Sequence, residues 1–254
     1  MHALSIRLAV LLVVLASAAP AQVLRLGSPS SGGVVTFSPP QRGPLPVIVD
    51  APYSAEEVFE SVLIRPDGKP GTSEPRRKMV FRDSQGRART EWTLRVVSYP
   101  ERKPHDTPVI EIIDPVAGFA YVLDAKRRVA HRMKLPAFRT VRPRPLTPPP
   151  SGPGSPFESL GQQVIDGEMA EGQRFTAQAG VQNDGQPLFR TTETWRVVDL
   201  GVTLLIKTHD PIGDHATRLT NLKRGEPDPK LFEAPEGYTV LDEAGAFVID
   251  YSTP

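Results

Sequence analysis

Apolar and polar residues alternate with a period of two over most of the chain, and that alternation predicts strands rather than helices. Met79–Asp83 and Arg89–Val97 form a hairpin pattern around Ser84-Gln-Gly86, with Trp92, Leu94 and Val96 on one face against Glu91, Thr93 and Arg95 on the other. Val109–Ile113 leads into a turn at Asp114–Gly118, after which Phe119, Tyr121 and Leu123 alternate. A turn at Asp124–Arg127 precedes Arg128–Lys134, where Val129, His131 and Met133 share a face. Further strands are expected near 160–166, 173–180, 188–198, 202–209 and 215–223, separated by Asp-Pro and Gly turns. Residues 54–64 carry two signatures. Ser54-Ala-Glu-Glu57 fits a helix capping box, yet the β-branched and aromatic run to Ile64 and the Pro66-Asp-Gly68 turn favour a strand.

Two stretches echo each other. Thr90-Glu-Trp-Thr-Leu-Arg-Val-Val97 resembles Thr192-Glu-Thr-Trp-Arg-Val-Val198, and each is followed by an Asp-Pro turn, at 114–118 and 210–213. A duplicated strand–strand–turn unit explains this, as does the small vocabulary shared by antiparallel strands.

Outside the strands, residues 1–21 read as a secretory leader. Arg7 supplies the basic end, Leu8–Ala16 the apolar stretch, and small residues up to Ala21 the cleavage region. Residues 22–50 read as a flexible N-terminal segment, and 142–156, rich in proline, as a loop within a single β domain over 51–254. The 254 residues include no cysteine, which excludes disulfides, thiolate metal sites and a lipidated N-terminal cysteine. No apolar run reaches the ~18 residues of a membrane-spanning helix, so the chain is not expected to span a membrane. Without the leader the charges balance at 29 basic and 29 acidic residues, which argues against nucleic-acid binding. They are unevenly placed: residues 22–156 hold 21 Lys/Arg and 13 Asp/Glu, residues 157–254 hold 8 and 16, and the opposite excesses attract the two halves to each other.

Motifs for nucleophilic, phosphate-binding, dinucleotide-binding or zinc-protease chemistry are missing, and no catalytic residue or cofactor is assigned. Thr208-His-Asp-Pro-Ile-Gly-Asp-His215 is the candidate metal site: a turn over Asp210–Asp214 makes His209 and His215 cross-strand neighbours beside two carboxylates. The alternative is an exposed hairpin tip. Glu91 and Glu193 can be imagined as a paired acid and base, or as solvent-facing strand residues. Lys126, Arg127, Arg128, Arg132 and Lys134 open a basic stretch, reaching Arg144 with no acid, that suits an anionic surface or an acidic partner; its default reading is a solvated hairpin. Phe81, Trp92, Leu94, Phe119, Tyr121, Trp195, Leu204 and Ile206 are expected to face inward on a curved sheet, as core if it closes and as an apolar ligand cavity if it stays open.

Arg218–Val240, with its Asn221-Leu222 step, Pro227-Asp-Pro229 turn, aromatic Phe232 and Gly237-Tyr238, resembles the closing segment of LolA-like periplasmic proteins. These include lipoprotein carriers, LppX/LprG-type lipoproteins and RseB-type stress sensors. The Phe81–Glu91 hairpin and the Asp114–Gly118 turn also resemble a group of exported bacterial proteins of acidobacterial type. The resemblance implies a mainly β fold: a curved antiparallel sheet of about ten or eleven strands forming a half-barrel with few short helices. It also implies a periplasmic or secreted, non-enzymatic protein that binds a lipid or other hydrophobic ligand, or senses envelope state with an envelope protein as partner. A closed-core protein-interaction module and a metal-dependent hydrolase using residues 209–215 are the competing readings.

Overall fold

Alternating side chains and frequent turns produce strands throughout the computed structural model, which describes residues 26–29, 33–39, 45–65, 68–98, 103–145, 155–181 and 185–252. The expected leader at 1–21 and the middle of the proline-rich stretch lie outside the described residues. In chain order the strands are β1 (Gly27–Pro29), β2 (Val34–Phe37), β3 (Leu45–Ile48), β4 (Tyr53–Ile64), β5 (Pro70–Thr72), β6 (Arg76–Arg82), β7 (Ala88–Ser98), β8 (Lys103–Asp114) and β9 (Phe119–Asp124). There follow β10 (Val129–Lys134), β11 (Phe138–Val141), β12 (Phe157–Ile165), β13 (Glu168–Val181), β14 (Pro187–Val197), β15 (Val202–Asp210), β16 (Gly213–Arg224), β17 (Thr239–Glu243) and β18 (Phe247–Asp250). Residues 54–64 are therefore strand, inside β4.

Thirteen of these strands build one curved, open sheet in the order β12-β13-β14-β15-β16-β4-β6-β7-β8-β9-β10-β17, with β5 attached to β4. Eleven run antiparallel to their neighbours along this order, as in the expected half-barrel. The sheet is nevertheless mixed, because β17 joins the β10 edge in parallel, with His131 opposite Leu241. A parallel partner arriving after a long connection leaves no hairpin signal in the sequence. The two echoing stretches fall on β7 and β14, and each opens an antiparallel β–β–turn–β unit, β7-β8-β9 and β14-β15-β16.

The segment 22–50, expected as flexible, contributes β1, β2 and β3 instead. Strands β1, β2 and β18 form a small three-stranded sheet over the front face of β7–β10, burying Leu26, Val35, Phe37 and Ile249 against Val96, Val109, Val122 and Met133. Each such side chain stabilises the fold by about 1.5–3 kcal/mol relative to exposure. At the centre lies Glu111, 1% exposed, whose carboxylate accepts from the backbone N–H of Leu26 (2.9 Å) and Gly27 (3.3 Å) and from Trp92 Nε1 (3.1 Å). A glycine-, serine- and proline-rich stretch is thus held by one buried carboxylate, which a local reading of composition cannot anticipate.

The back face of the same strands is closed by the segment after β16. A single 3-10 turn at Pro229–Phe232, capped by Asp228 accepting from Lys230 N (2.9 Å), seats Phe232 among Ile112, Leu123 and Ala130. Arg89 donates to the Leu231 carbonyl (2.8 Å), and Ser84 to the Glu226 carboxylate (3.1 Å). A third cluster, with Tyr53, Val80, Trp195, Val202, Leu204 and Leu219, joins the two halves of the sheet under β3 and β11, which pair with each other in parallel. Arg82 is buried here, donating to the carbonyls of Ala51 (2.8 Å) and Leu200 (2.5 Å) with its guanidinium over the Tyr53 ring. Burial holds its pKa below the ordinary arginine value. Gly172 admits Trp195, since a Cβ there would lie 2.6 Å from the indole.

Candidate functional site

Strand register aligns two rows of front-face side chains across the half of the sheet that the terminal segments do not cover. One row reads Ser159, Gln173, Thr194, Ile206, Thr217, Phe59, Arg76 from β12 to β6. The next reads Phe157, Phe175, Thr192, Thr208, His215, Ser61. Phe157 and Phe175 are cross-strand partners with ring centroids 4.8 Å apart; Phe59 carries the Arg76 guanidinium at 4.4 Å and stacks on His215 at 6.1 Å. Among the described residues, Phe59, Phe157, Phe175 and Ile206 pack against none of the three buried clusters, and Phe175 stays 37% exposed. The result is an open strip in which Phe157, Phe175, Ile206 and Phe59 are interspersed with threonines. It can hold an elongated molecule by burying apolar surface at these four side chains, with hydroxyls between them.

On the back face of the same strands two adjacent rungs border an open hollow of about 480 Å³. The rungs are Thr191–His209–Asp214–Val62 and Glu193–Lys207–Ala216–Glu60, and the small Ala216 leaves the space. Its carboxylates are engaged: Glu193 accepts from Arg174 (2.7 and 3.0 Å), Glu60 pairs with Arg218, and Asp214 Oδ1 lies 2.6 Å from His209 Nδ1. Lys207 has no carboxylate partner among the described residues.

The expected metal site does not assemble. Asp210 pairs with Gly213, so the turn is Pro211-Ile212 and not Asp210–Asp214. His209 then sits opposite Asp214 and His215 opposite Thr208, which sends the two imidazoles to opposite faces. Gly213 lets β16 approach β4 here, because a Cβ would lie 2.1 Å from the Val62 carbonyl oxygen. Nor can Glu91 and Glu193 act as a pair, because four strands separate β7 from β14, a path of about 24 Å along the sheet at about 4.8 Å per strand. Glu91 is bound to Arg89 at 2.6 Å.

Of the eight expected inward-facing residues, six are shared among the three buried clusters and two, Phe119 and Ile206, belong to none. Trp92 and Leu94 pack on the front cluster beneath β1 and β2, Phe81 and Tyr121 border the Phe232 cluster on the back, and Trp195 and Leu204 are buried in the third. Phe119 carries Arg132 over its ring at 4.6 Å. Only Ile206 lies in the open strip. Phe157 and Phe175 fall within or beside expected strands and could have been found by alternation; Phe59 was hidden by the helix-like signature around it.

The basic stretch is partly neutralised by the C-terminal segment instead of being a fully solvated hairpin. Arg132 makes a bidentate pair with Asp242 (2.6 and 2.8 Å), which holds that carboxyl below the ordinary carboxylate range. Arg127 binds Asp124 (2.7 Å) and reaches the Asp250 carbonyl (3.5 Å). His131 Nδ1 meets Glu243 at 2.7 Å, with Phe247 stacked on its ring at 4.8 Å. Arg128, with φ 52°, turns the backbone so that its carbonyl accepts from Thr239 N (2.8 Å), and Lys134 stays exposed.

No protein-family profile matches the chain. No curated protein matches its sequence either. Among solved structures it is similar to LprF from Mycobacterium bovis, at 13% identity and a TM-score of 0.29, over 70% of this chain and 90% of that one. At that score the likeness contributes nothing to the functional reading, which rests on the geometry. Among the described residues no helix is long and apolar enough to cross a membrane.

Proposed function

We propose that the chain is an exported, non-enzymatic protein of LolA-like type that binds a hydrophobic, lipid-like ligand along the open strip of the front face. The observation that carries this reading is that Phe59, Phe157, Phe175 and Ile206 lie in two adjacent rows of a face that no other layer of the described residues covers, where the rest of that face lies under β1, β2 and β18 and under β3 and β11. The leader-like residues 1–21 and the closing segment that seats Phe232 support it. The histidines and the two strand glutamates considered for chemistry lie apart among the described residues.

Native mass spectrometry of residues 22–254, purified gently from an exporting host, tests the reading. An adduct released by organic solvent and identified as lipid is expected, and its loss in Phe175→Asp locates it on the strip. A bare polypeptide mass that stays unchanged after lipids are offered overturns the proposal and leaves the strip as a surface for a protein partner.

A further inference from the structure

One cation at the margin of the strip has no counter-charge. Arg196 follows Thr194 by two residues on β14, so it shares the front face one rung, about 7 Å, nearer the cover formed by β3 and β11. Its side chain is half-buried, and its Nε is shut off from water with no hydrogen-bond partner among the described residues. Its Nη2 comes within 3.5 Å of where a Gly201 Cβ would stand, as does Pro143 Cβ, so the guanidinium lies where the strip meets that cover. Glu171 is its cross-strand partner, yet that carboxylate accepts from Gln162 (3.2 Å) and makes no ion pair with Arg196. The other charges acting nearby include two arginines. Arg144 is exposed, and Arg82 is committed to the carbonyls of Ala51 and Leu200. Burial and the neighbouring Arg144 hold the Arg196 pKa below the ordinary arginine value.

The remaining cations bordering the strip are provided for. Lys78 pairs with Glu57 at 2.8 Å and Arg190 with Asp210 at 3.5 Å, while Arg76 is exposed and lies on the Phe59 ring. Arg196 alone among them combines partial burial with no paired carboxylate. Such a charge is costly to hold, and an anion bound to it removes the cost. We propose that the ligand of the strip is an anionic amphiphile: its carboxylate or phosphate binds Arg196, Arg144 adds a second cation from the solvent side, and its apolar chain runs over Ile206 toward Phe175. A neutral lipid fits less well, because a chain lying over Thr194 and Ile206 takes further water from Arg196 and leaves it unpaired. The inference rests on the strip as the ligand site and names the class of ligand.

Calorimetric titration of the exported chain, residues 22–254 stripped of lipid, with oleate and with methyl oleate is the test. The two share a chain and differ in charge. Oleate should bind about tenfold more tightly or better, and the difference should shrink as salt is raised. Arg196→Gln should bring oleate down to the level of methyl oleate, with methyl oleate bound no more weakly than by wild type, and Arg196→Lys should keep part of the preference. Arg76→Gln, and Arg174→Gln on the back face, should keep all of it. Dodecyl phosphate should behave as oleate does. Inorganic phosphate bound as tightly as oleate overturns the amphiphile and leaves a free-anion site. Equal binding of oleate and methyl oleate overturns the head-group assignment and leaves the strip as an apolar site, a comparison made on wild type that survives any misfolding of the variants. A preference that persists in Arg196→Gln, or disappears in Arg76→Gln, overturns the assignment as well. If neither compound binds, the strip reading falls and this inference falls with it.

Discussion

The β7-β8-β9 and β14-β15-β16 units start from similar sequences and share one strand order, yet the molecule treats them differently. The first is covered on both sides, by β1, β2 and β18 in front and by the Phe232 segment behind. Val109, Ile112, Ala120 and Val122 are all 0% exposed. Among the described residues the second is packed only at one end, through Trp195, Val202, Leu204 and Leu219, and Phe189 and Ile212 at its other end remain 52% and 63% exposed. Similar strands thus become core or surface according to where the chain's two ends return. A sheet face left without a partner layer in water is an unsolved burial problem, or a site.

The sharpest way to break the comparison is to make the same change at the aromatic beside each unit, Phe232 packed behind the first and Phe175 paired with β14 of the second. Phe232→Ala empties a packed site and should cost about 3–5 kcal/mol in urea unfolding, whereas Phe175→Ala should stay within about 1 kcal/mol while weakening ligand retention. Equal losses would mean that the second unit is covered too. Glu111→Ala comes next. It strands the N–H groups of Leu26 and Gly27 and the Trp92 indole, and should cost about 2–4 kcal/mol. It should also raise amide exchange in β1 and β2 ahead of β13 and β14, since only the covered unit depends on that carboxylate. Uniform exchange across both would remove the distinction.

The smallest effect concerns the clasp between the basic stretch and β17. Because Arg132 lowers the Asp242 pKa, the folded state holds this carboxylate ionised to more acid pH than the unfolded chain does. Its stabilisation is therefore present at neutral pH and is lost as pH falls through the carboxylate range. Asp242→Asn should flatten the acid limb of the melting-temperature profile slightly, and more at low salt than at high, since the pair is exposed. An unchanged acid limb would mean that the pair adds nothing to the hold of β17.

Much of the sheet was legible along the chain, because a strand is declared by its own alternation and a hairpin by the residues of its turn. β6 to β10 and β12 to β16 follow from such local signals, whereas the aromatic at Phe232 was singled out by the resemblance of the closing segment alone. The candidate site was only partly legible. Ile206 was expected to face inward and lies in the strip, but whether it met a covering layer or solvent depended on β1, β2 and β18, which come from distant ends of the chain. His209 and His215 were placed together by a turn assumed three residues too long. The two-residue turn at Pro211-Ile212 changes side-chain parity, and with period two that moves an imidazole to the other face.

The amino-acid order by itself determined the strands, most of their turns and the balance of charge, all of which depend on residues within a few positions of one another. The tertiary structure decided that a segment rich in glycine, serine and proline becomes a covering layer. The reason is that its order comes from Glu111 and an apolar bed more than fifty residues away, not from its own propensities. It also decided which of two similar strand units is core and which is open, because burial belongs to pairs of surfaces and no single strand carries it.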